Sequence, residues 1–530
     1  LAKKTGEFRF SLSQSLEKTT ASSDEGLPAA TAYFPDGLLV QRTKTDRHYL
    51  LRGTSSYDFR HGDGYLNSRI LLNYLFGNHG SSVQYNPGAA YRFQRSVNEV
   101  GLNTESTYRD GELAAGLTLT NRSYFSNTAK DHHILLPGFS GFVSSENVFG
   151  LGSLFAKLTA SYHRFASELP VGSSFSQHSL LNFTTAEALH YFPLTEAEGF
   201  DALSLINHHE SSISLQLRYK NRLTLEANVF KRNTQNDVFP FVENGLLQLG
   251  NLADHKNTGF EIEAGYASYS RNFQTSHQAS FVVNRSTVTA VRNGYDYTPV
   301  AGFKNVHKAL VKGEPLGAIV GSRYLRNAAG KMIIGADGFP LVDPQLGIVG
   351  NPIPDFVLKT ANSISWKRLS FAIDLEWRKG GDVWNGTQAV LDYYGRSENS
   401  GDLRGTTGYV YDGVMQDGQP NKTAVTFYNA LLPLEQNRWV RYGHSGVAED
   451  YIEKADHLRI NNLSLAYKLT TCKYLQSVTF SLYANNLLLW TAYTGADSNR
   501  LLYDAANTTG LDFFNLPSVK TFGCNLSFQF

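Results

Sequence analysis

The sequence predicts an all-β protein, a transmembrane antiparallel β-barrel of the outer-membrane type. Three observations carry the prediction. Apolar and polar side chains alternate over runs of nine to twelve residues, near the roughly 9–11 that a tilted strand needs to cross a bilayer. The polar face of these runs holds full charges at mid-strand, Glu226, Asp374, Glu376 and Arg378, as a water-filled lumen permits. Connections are very short on one side, as at Asn221-Arg222, and long on the other, as in the Gly-, Tyr-, Asp- and Asn-rich stretch from Gly380 to Asn429; outer-membrane barrels have that asymmetry.

The strands follow in chain order. Phe8, Phe10 and Leu12 alternate with Arg9, Ser11 and Ser13. Leu113, Ala115, Leu117 and Leu119 oppose Gly116, Thr118 and Thr120, and Leu154 to Tyr162 behaves likewise. A hairpin takes Ile213, Leu215, Leu217 and Tyr219 through the turn at Asn221-Arg222 to Leu223, Leu225, Ala227 and Val229. A second runs from Phe356 through Lys367-Arg368 to Trp377. In the final strand Phe522, Cys524, Leu526, Phe528 and Phe530 share one parity, opposite Thr521, Gly523, Asn525, Ser527 and Gln529. Side chains of a strand point to opposite faces with period 2, so each run has one apolar and one polar face. A soluble sandwich also alternates, but its strands average about five or six residues.

Composition closes other classes. No apolar run of the 530 residues approaches the roughly 18 of a membrane helix, and 42% hydrophobic content with 29 Tyr and 33 Phe is too rich for disorder. Charged residues are 18%, with 48 Lys+Arg against 47 Asp+Glu. Scattered basic residues and a net charge of +1 argue against a nucleic-acid partner. Two cysteines, Cys472 and Cys524, are too few for a disulfide framework. The chain opens at Leu1 with no leader, so either a leader has been removed or these residues are the tail of something longer.

From about Leu215 onward the chain resembles the C-terminal barrel of the SusC/RagA family of TonB-dependent outer-membrane transporters. The likeness rests on Leu223–Val238, on Asn257-Thr258-Gly259-Phe260-Glu261-Ile262-Glu263, and on Val311-Lys312-Gly313-Glu314-Pro315-Leu316-Gly317. It continues in Ile348–Phe356 (IVGNPIPDF), Trp377–Thr387 (WRKGGDVWNGT), Ala455–Tyr467 (ADHLRINNLSLAY), Leu482–Leu487 and Tyr493-Thr494-Gly495. Order and spacing over about 300 residues make the match, while residues 1–210 are only compatible with it. After Tyr-Thr-Gly the family's acidic stretch is altered to Ala496-Asp497-Ser498-Asn499.

The resemblance implies a barrel that has 22 strands in a full member, this chain supplying most of them, about 14–18. Residues 1–530 are expected to be barrel alone, with the accessory domain, TonB box and plug of a full member not among them. It further implies import of large nutrients, glycans or peptides, with a SusD-like surface lipoprotein as lid and TonB–ExbB–ExbD supplying energy if a TonB box exists upstream. The alternative is a structural or scaffold subunit of an outer-membrane export or barrel-assembly complex, with other subunits of that complex as partners. Outer-membrane lipids are partners in either case.

No enzyme signature stands. Gly443-His444-Ser445-Gly446-Val447 has Val where a nucleophile elbow needs Gly. His132-His133 and His208-His209 lack metal-ligand spacing and read as surface or loop histidines, and no cofactor is expected. Binding remains. Aromatics gather in the long loop, Trp384, Tyr393, Tyr394, Tyr409, Tyr411, Phe427, Tyr428 and Trp439, with Asn385, Asp392, Asn399, Asp402 and Asp412 interleaved. Rigid amphipathic rings suit stacking on a sugar or docking a protein lid; the alternatives are an interfacial aromatic girdle, or loop packed on loop. Lumenal Glu226, Glu261, Glu263, Asp374 and Glu376 are expected to hold the wall through ion pairs.

Overall fold

The structure is a computed structural model, described here for residues 6–27, 38–61, 65–86, 90–150, 153–169, 203–243, 246–291, 297–470, 475–499 and 509–529. Sixteen strands pair in chain order into one large sheet: Gly6–Leu27, Leu38–His61, Leu66–Asn86, Ala90–Asp110, Leu113–Ser126, His133–Ser145, Leu154–Ser167, Ile206–Tyr219, Leu223–Glu243, Leu246–Tyr269, Phe273–Val291, Phe356–Trp366, Leu369–Lys379, His457–Thr470, Ser477–Thr491 and Thr521–Gln529. Two compact units divide the chain, Leu1–Thr258 with Thr289–Gly294, and Gly259–Val288 with Tyr295–Phe530.

In the first unit the strands run to 24 residues, as in Leu38–His61, longer than the alternating runs foretell. The reason lies in which half is apolar. The exposed apolar residues Phe8, Phe10, Leu12 and Leu16, then Ile70, Leu72 and Tyr74, then Val100, Leu102 and Tyr108, all sit toward the short-turn ends. The opposite halves are polar. The tight hairpin after Tyr219 places Lys220 and Asn221 at φ 50° and 53°, one residue earlier than the sequence reading. Two successive left-handed residues are the mark of a turn whose twist matches its strands. His208 and His209, expected at the surface or in a loop, belong to the strand Ile206–Tyr219, where His209 meets the Tyr162 hydroxyl at 2.8 Å and His208 meets Thr234 Oγ1 at 3.0 Å.

In the second unit, register shows what the outward apolar face does. Phe273 pairs with Trp366, Trp366 with Leu369, Leu369 with Tyr467, Tyr467 with Phe480, and Phe480 with Leu526. A second row, Leu358–Trp377–Leu458–Trp490, crosses the same strands nearer the long loops. Leu369 and Trp377 on one strand are separated by about 27 Å of chain at about 3.4 Å per residue, or about 20 Å of height after a tilt near 40°, close to the apolar band between aromatic girdles. Of the lumenal carboxylates, Glu376 lies 3.3 Å from Lys359 Nζ and 3.1 Å from His457 Nε2. In the first unit Glu226 accepts from Gln216 at 2.6 Å.

Candidate functional site

Three connections on the long-loop side of the second unit, residues 297–355, residues 380–456 and the described residues 492–499 and 509–520, fold into one lobe. Each brings short strands. Tyr297–Phe303, Val306–Val311, Ala318–Gly321 and Gly347–Gly350 make a four-stranded sheet. Asp382–Asn385 pairs with Ile452–Lys454 on one side and Leu511–Asp512 on the other, tying the second and third connections. Ile333–Ile334 runs parallel to Val414–Met415, tying the first to the second.

The apolar cores are shared between the connections. Val306 and Ile319, Trp384 and Ala448, and Leu511 form one buried cluster. Trp384 is its centre at 1% exposure, with ring centroids 5.5 Å from Phe303 and 6.4 Å from Phe513, nearly parallel to the latter. A second cluster joins Ile334 and Phe339 to Tyr411, Val425 and Phe427, with Trp439 edge-on to Phe427 at 5.7 Å.

Polar groups rivet these cores. Asn385 caps the helix Gly386–Tyr393 by accepting from Gln388 N at 3.0 Å. Its amide donates to Glu453 Oε1 at 2.8 Å and Thr494 Oγ1 at 3.1 Å, and Glu453 in turn accepts from the Thr494 amide at 2.6 Å. Replacing Asn385 with alanine removes a cap and two buried bonds; we expect a loss of about 2 kcal/mol in the unfolding free energy of the detergent-solubilised chain. A loss below about 0.5 kcal/mol would contradict this role. The motif stretches Ala455–Tyr467 and Tyr493–Gly495 meet here too: Arg459 Nη2 donates to Asp497 Oδ1 at 2.6 Å in a buried pair. Burial alone would raise the Asp497 carboxyl, but hydrogen bonds from Ser518, the Asn499 amide and Arg459 bring it below the usual carboxylate range. Burial pushes the Tyr411 hydroxyl up to about 12 and pushes Tyr324, Tyr442, Tyr451 and Tyr493 upward as well, so none ionises near neutrality.

One cation is out of place in this scheme. Lys308 lies on the core face of Val306–Val311 between the fully buried Val306 and Leu310, only 5% exposed, and no hydrogen bond or ion pair reaches it among the described residues. Gly317, at φ 72°, makes room: a Cβ there would stand 2.6 Å from Lys308 Cε. Burial pushes this amine down to about 8.

The loop aromatics therefore separate into two sets. Trp384, Asn385 and Tyr411 are interior, and the partly buried Trp439 packs against the second cluster. Tyr394, Tyr409 and Tyr428 are exposed, Tyr394 by 62%, and Asp412 is exposed beside them in sequence. Tyr393 stacks on His444 at 4.1 Å, and Tyr394 faces the same imidazole at 3.3 Å from oxygen to Nε2.

Aromatic rows on the outward face, lumenal polar pairing and short turns opposite a folded loop lobe are the features of an outer-membrane β-barrel. In fold the chain is similar to solved outer-membrane barrels of the RagA type. Among solved structures, the RagAB peptide transporter matches with a TM-score of 0.68 at 16% identity, over 98% of this chain and 60% of that chain. The RagAB peptide importer in the "open-open" state matches at 0.64 and 16%, over 99% and 59%. TonB-dependent receptor P3 of Formosa agariphila is 23% identical over 349 residues, 59% of this chain and 33% of that protein. No family model matches. The chain thus spans about 60% of the solved relatives and a third of the curated one. These relatives are receptors and transporters rather than enzymes.

Proposed function

We propose that this chain is the barrel of a TonB-dependent importer for large nutrients, glycans or peptides, whose loop lobe meets the solute and a SusD-like surface lipoprotein. The observation that carries the reading is the RagA-like fold over nearly the whole chain combined with a lobe that buries Trp384 and Tyr411 yet leaves Tyr394, Tyr409 and Tyr428 outside. Rigid exposed rings on a packed base lose little entropy on binding, which favours contact with sugars, peptides or a protein lid. Energy from TonB–ExbB–ExbD belongs to the same reading.

Replacing Tyr394, Tyr409 and Tyr428 together by alanine is expected to weaken binding of the cognate oligosaccharide or peptide, or of the lid, at least tenfold, since each ring contributes about 1 kcal/mol or more. Tyr409 also packs edge-on against Tyr411 and Phe427, so the thermal midpoint should fall by a few degrees at most while far-UV circular dichroism is unchanged. Binding measured over an oligosaccharide and a peptide panel decides it. Unchanged affinity for every ligand, with uptake intact, would remove the lobe from recognition.

A further inference from the structure

Several histidines among the described residues share one arrangement. Ring nitrogens of His208, His209, His255, His277 and His457 face oxygens of hydroxyl, amide, carboxylate or carbonyl groups. His48 and His79 instead face each other, Nδ1 to Nδ1, at 2.6 Å, with rings edge-on and centroids 4.9 Å apart. No oxygen partner fixes either ring among the described residues. Two lone-pair-bearing nitrogens brought together in this way need something between them, a shared proton or a cation.

The surroundings favour the cation. His48 and His79 are directly opposed on Leu38–His61 and Leu66–Asn86, with Glu17 opposite His48 on the next strand and Arg95 opposite His79 on the other side. Directly paired residues of adjacent strands point to the same face, with Cβ atoms roughly 4.5–5.5 Å apart. All four therefore lie in one row on the lumenal wall, on the parity that carries Ser13 and Ser15 rather than Leu12 and Leu16. The row's own positive charge is withdrawn. Arg95 Nε lies 2.6 Å from Glu168 Oε2 and 2.7 Å from Thr128 Oγ1, while its Nη1 donates to Leu169 O at 2.6 Å. At the other end Glu17 is exposed and takes no hydrogen bond or ion pair among the described residues. Below the pair, Gly77 leaves the space His79 uses; a Cβ there would stand 2.9 Å from His79 Nε2.

We propose that His48 and His79, with Glu17 as the third ligand, hold a divalent transition-metal ion of the zinc, copper or nickel class on the lumenal wall. Imidazole nitrogen with one carboxylate suits these ions rather than calcium or magnesium. Zinc–nitrogen distances of about 2.0–2.1 Å in tetrahedral geometry set two ligand nitrogens about 3.3 Å apart. The pair reaches that spacing by small ring rotations about χ1 and χ2. No three potential ligands converge among the described residues, so the site requires Glu17 to swing in, with water completing the shell. The bound ion cross-links three neighbouring strands. The site goes beyond the import reading and does not depend on it.

The test uses the full chain, purified without a polyhistidine tag, in detergent micelles after chelator treatment. Titration with zinc chloride, and with cobalt(II) chloride read by its visible absorption, should show one site per chain. His48→Ala and His79→Ala should each weaken it by on the order of 100-fold, and Glu17→Gln by about tenfold. Replacing His132 and His133 by alanine should leave it unchanged. Far-UV circular dichroism and the electrophoretic shift between heated and unheated samples confirm that each variant is folded. A folded wild-type chain that takes up neither ion overturns the proposal. So does one whose site survives in the folded His48→Ala/His79→Ala double variant.

Discussion

Replacing Trp384 with alanine is expected to destabilise the loop lobe by about 4 kcal/mol, the cost of emptying a large aromatic site that cannot collapse. Two features put it at the upper end of the range. Its surroundings come from three separate connections, through Val306, Ile319, Ala448 and Leu511, each anchored to its own strands and poorly able to move inward. It also packs in a triad with Phe303 and Phe513, whose own ring centroids are 4.7 Å apart, contacts worth more than their buried area alone. Thermal unfolding in detergent, with limited proteolysis of the loops as a local readout, measures it. Faster cleavage in all three connections is the expected signature. A loss confined to residues 380–456 would show that the lobe is not a shared core.

Replacing Lys308 with methionine works in the opposite direction. The folded protein holds this ammonium without a counter-charge in the described structure, and its acid constant falls from 10.5 to about 8. Each unit of that fall is about 1.4 kcal/mol of penalty on the charged form, so about 3 kcal/mol is lost at neutral pH. Methionine keeps the stem and removes the charge, and the variant should gain about that amount. The wild type has its own signature. Below pH 8 both folded and unfolded chains carry the proton and the penalty is complete. Between pH 8 and about 10.5 the unfolded chain binds more protons than the folded one, so stability rises with pH. That rise should be absent from Lys308→Met, and an equal slope in both proteins would sink the account. A smaller gain on Lys308→Met than on Lys308→Ala would also count against it, since the methionine stem fills the site.

The wall was legible from sequence and the lobe was not, for one physical reason. A strand of the wall declares both its faces within a dozen residues. Phe522, Leu526 and Phe528 point outward as their parity requires, and the hairpin over Lys367-Arg368 pairs Trp366 with Leu369. The lobe has no such local code. Trp384 reads as an amphipathic contact residue because its neighbours Phe303 and Phe513 are distant in sequence and follow no period. The same limit hid the pairing of Arg459 with Asp497. Arg459 sits in a stretch that carries the resemblance and Asp497 in the one where the chain departs from it, and nothing in either says that one closes on the other. Lys308 gave no signal at all, since a lysine among apolar residues in a short strand commonly reaches water. The length of the first strands escaped for a different reason: alternation marks the part of a strand that faces lipid, and the polar halves of Gly6–Leu27 and Leu38–His61 carry no such contrast.

The shared core of the lobe has a consequence for how the protein is made. Phe303 precedes Trp384 by 81 residues and Phe513 follows it by 129, so no single loop can mature when it emerges. Closing such distances is slow unless the intervening chain is already ordered. The hairpins of the second unit must be zipped first, and only then do the three connections stand close enough to bury that ring. The lobe is thus a late-forming checkpoint of assembly: an intact cap certifies that the strands beneath it were joined in the right order.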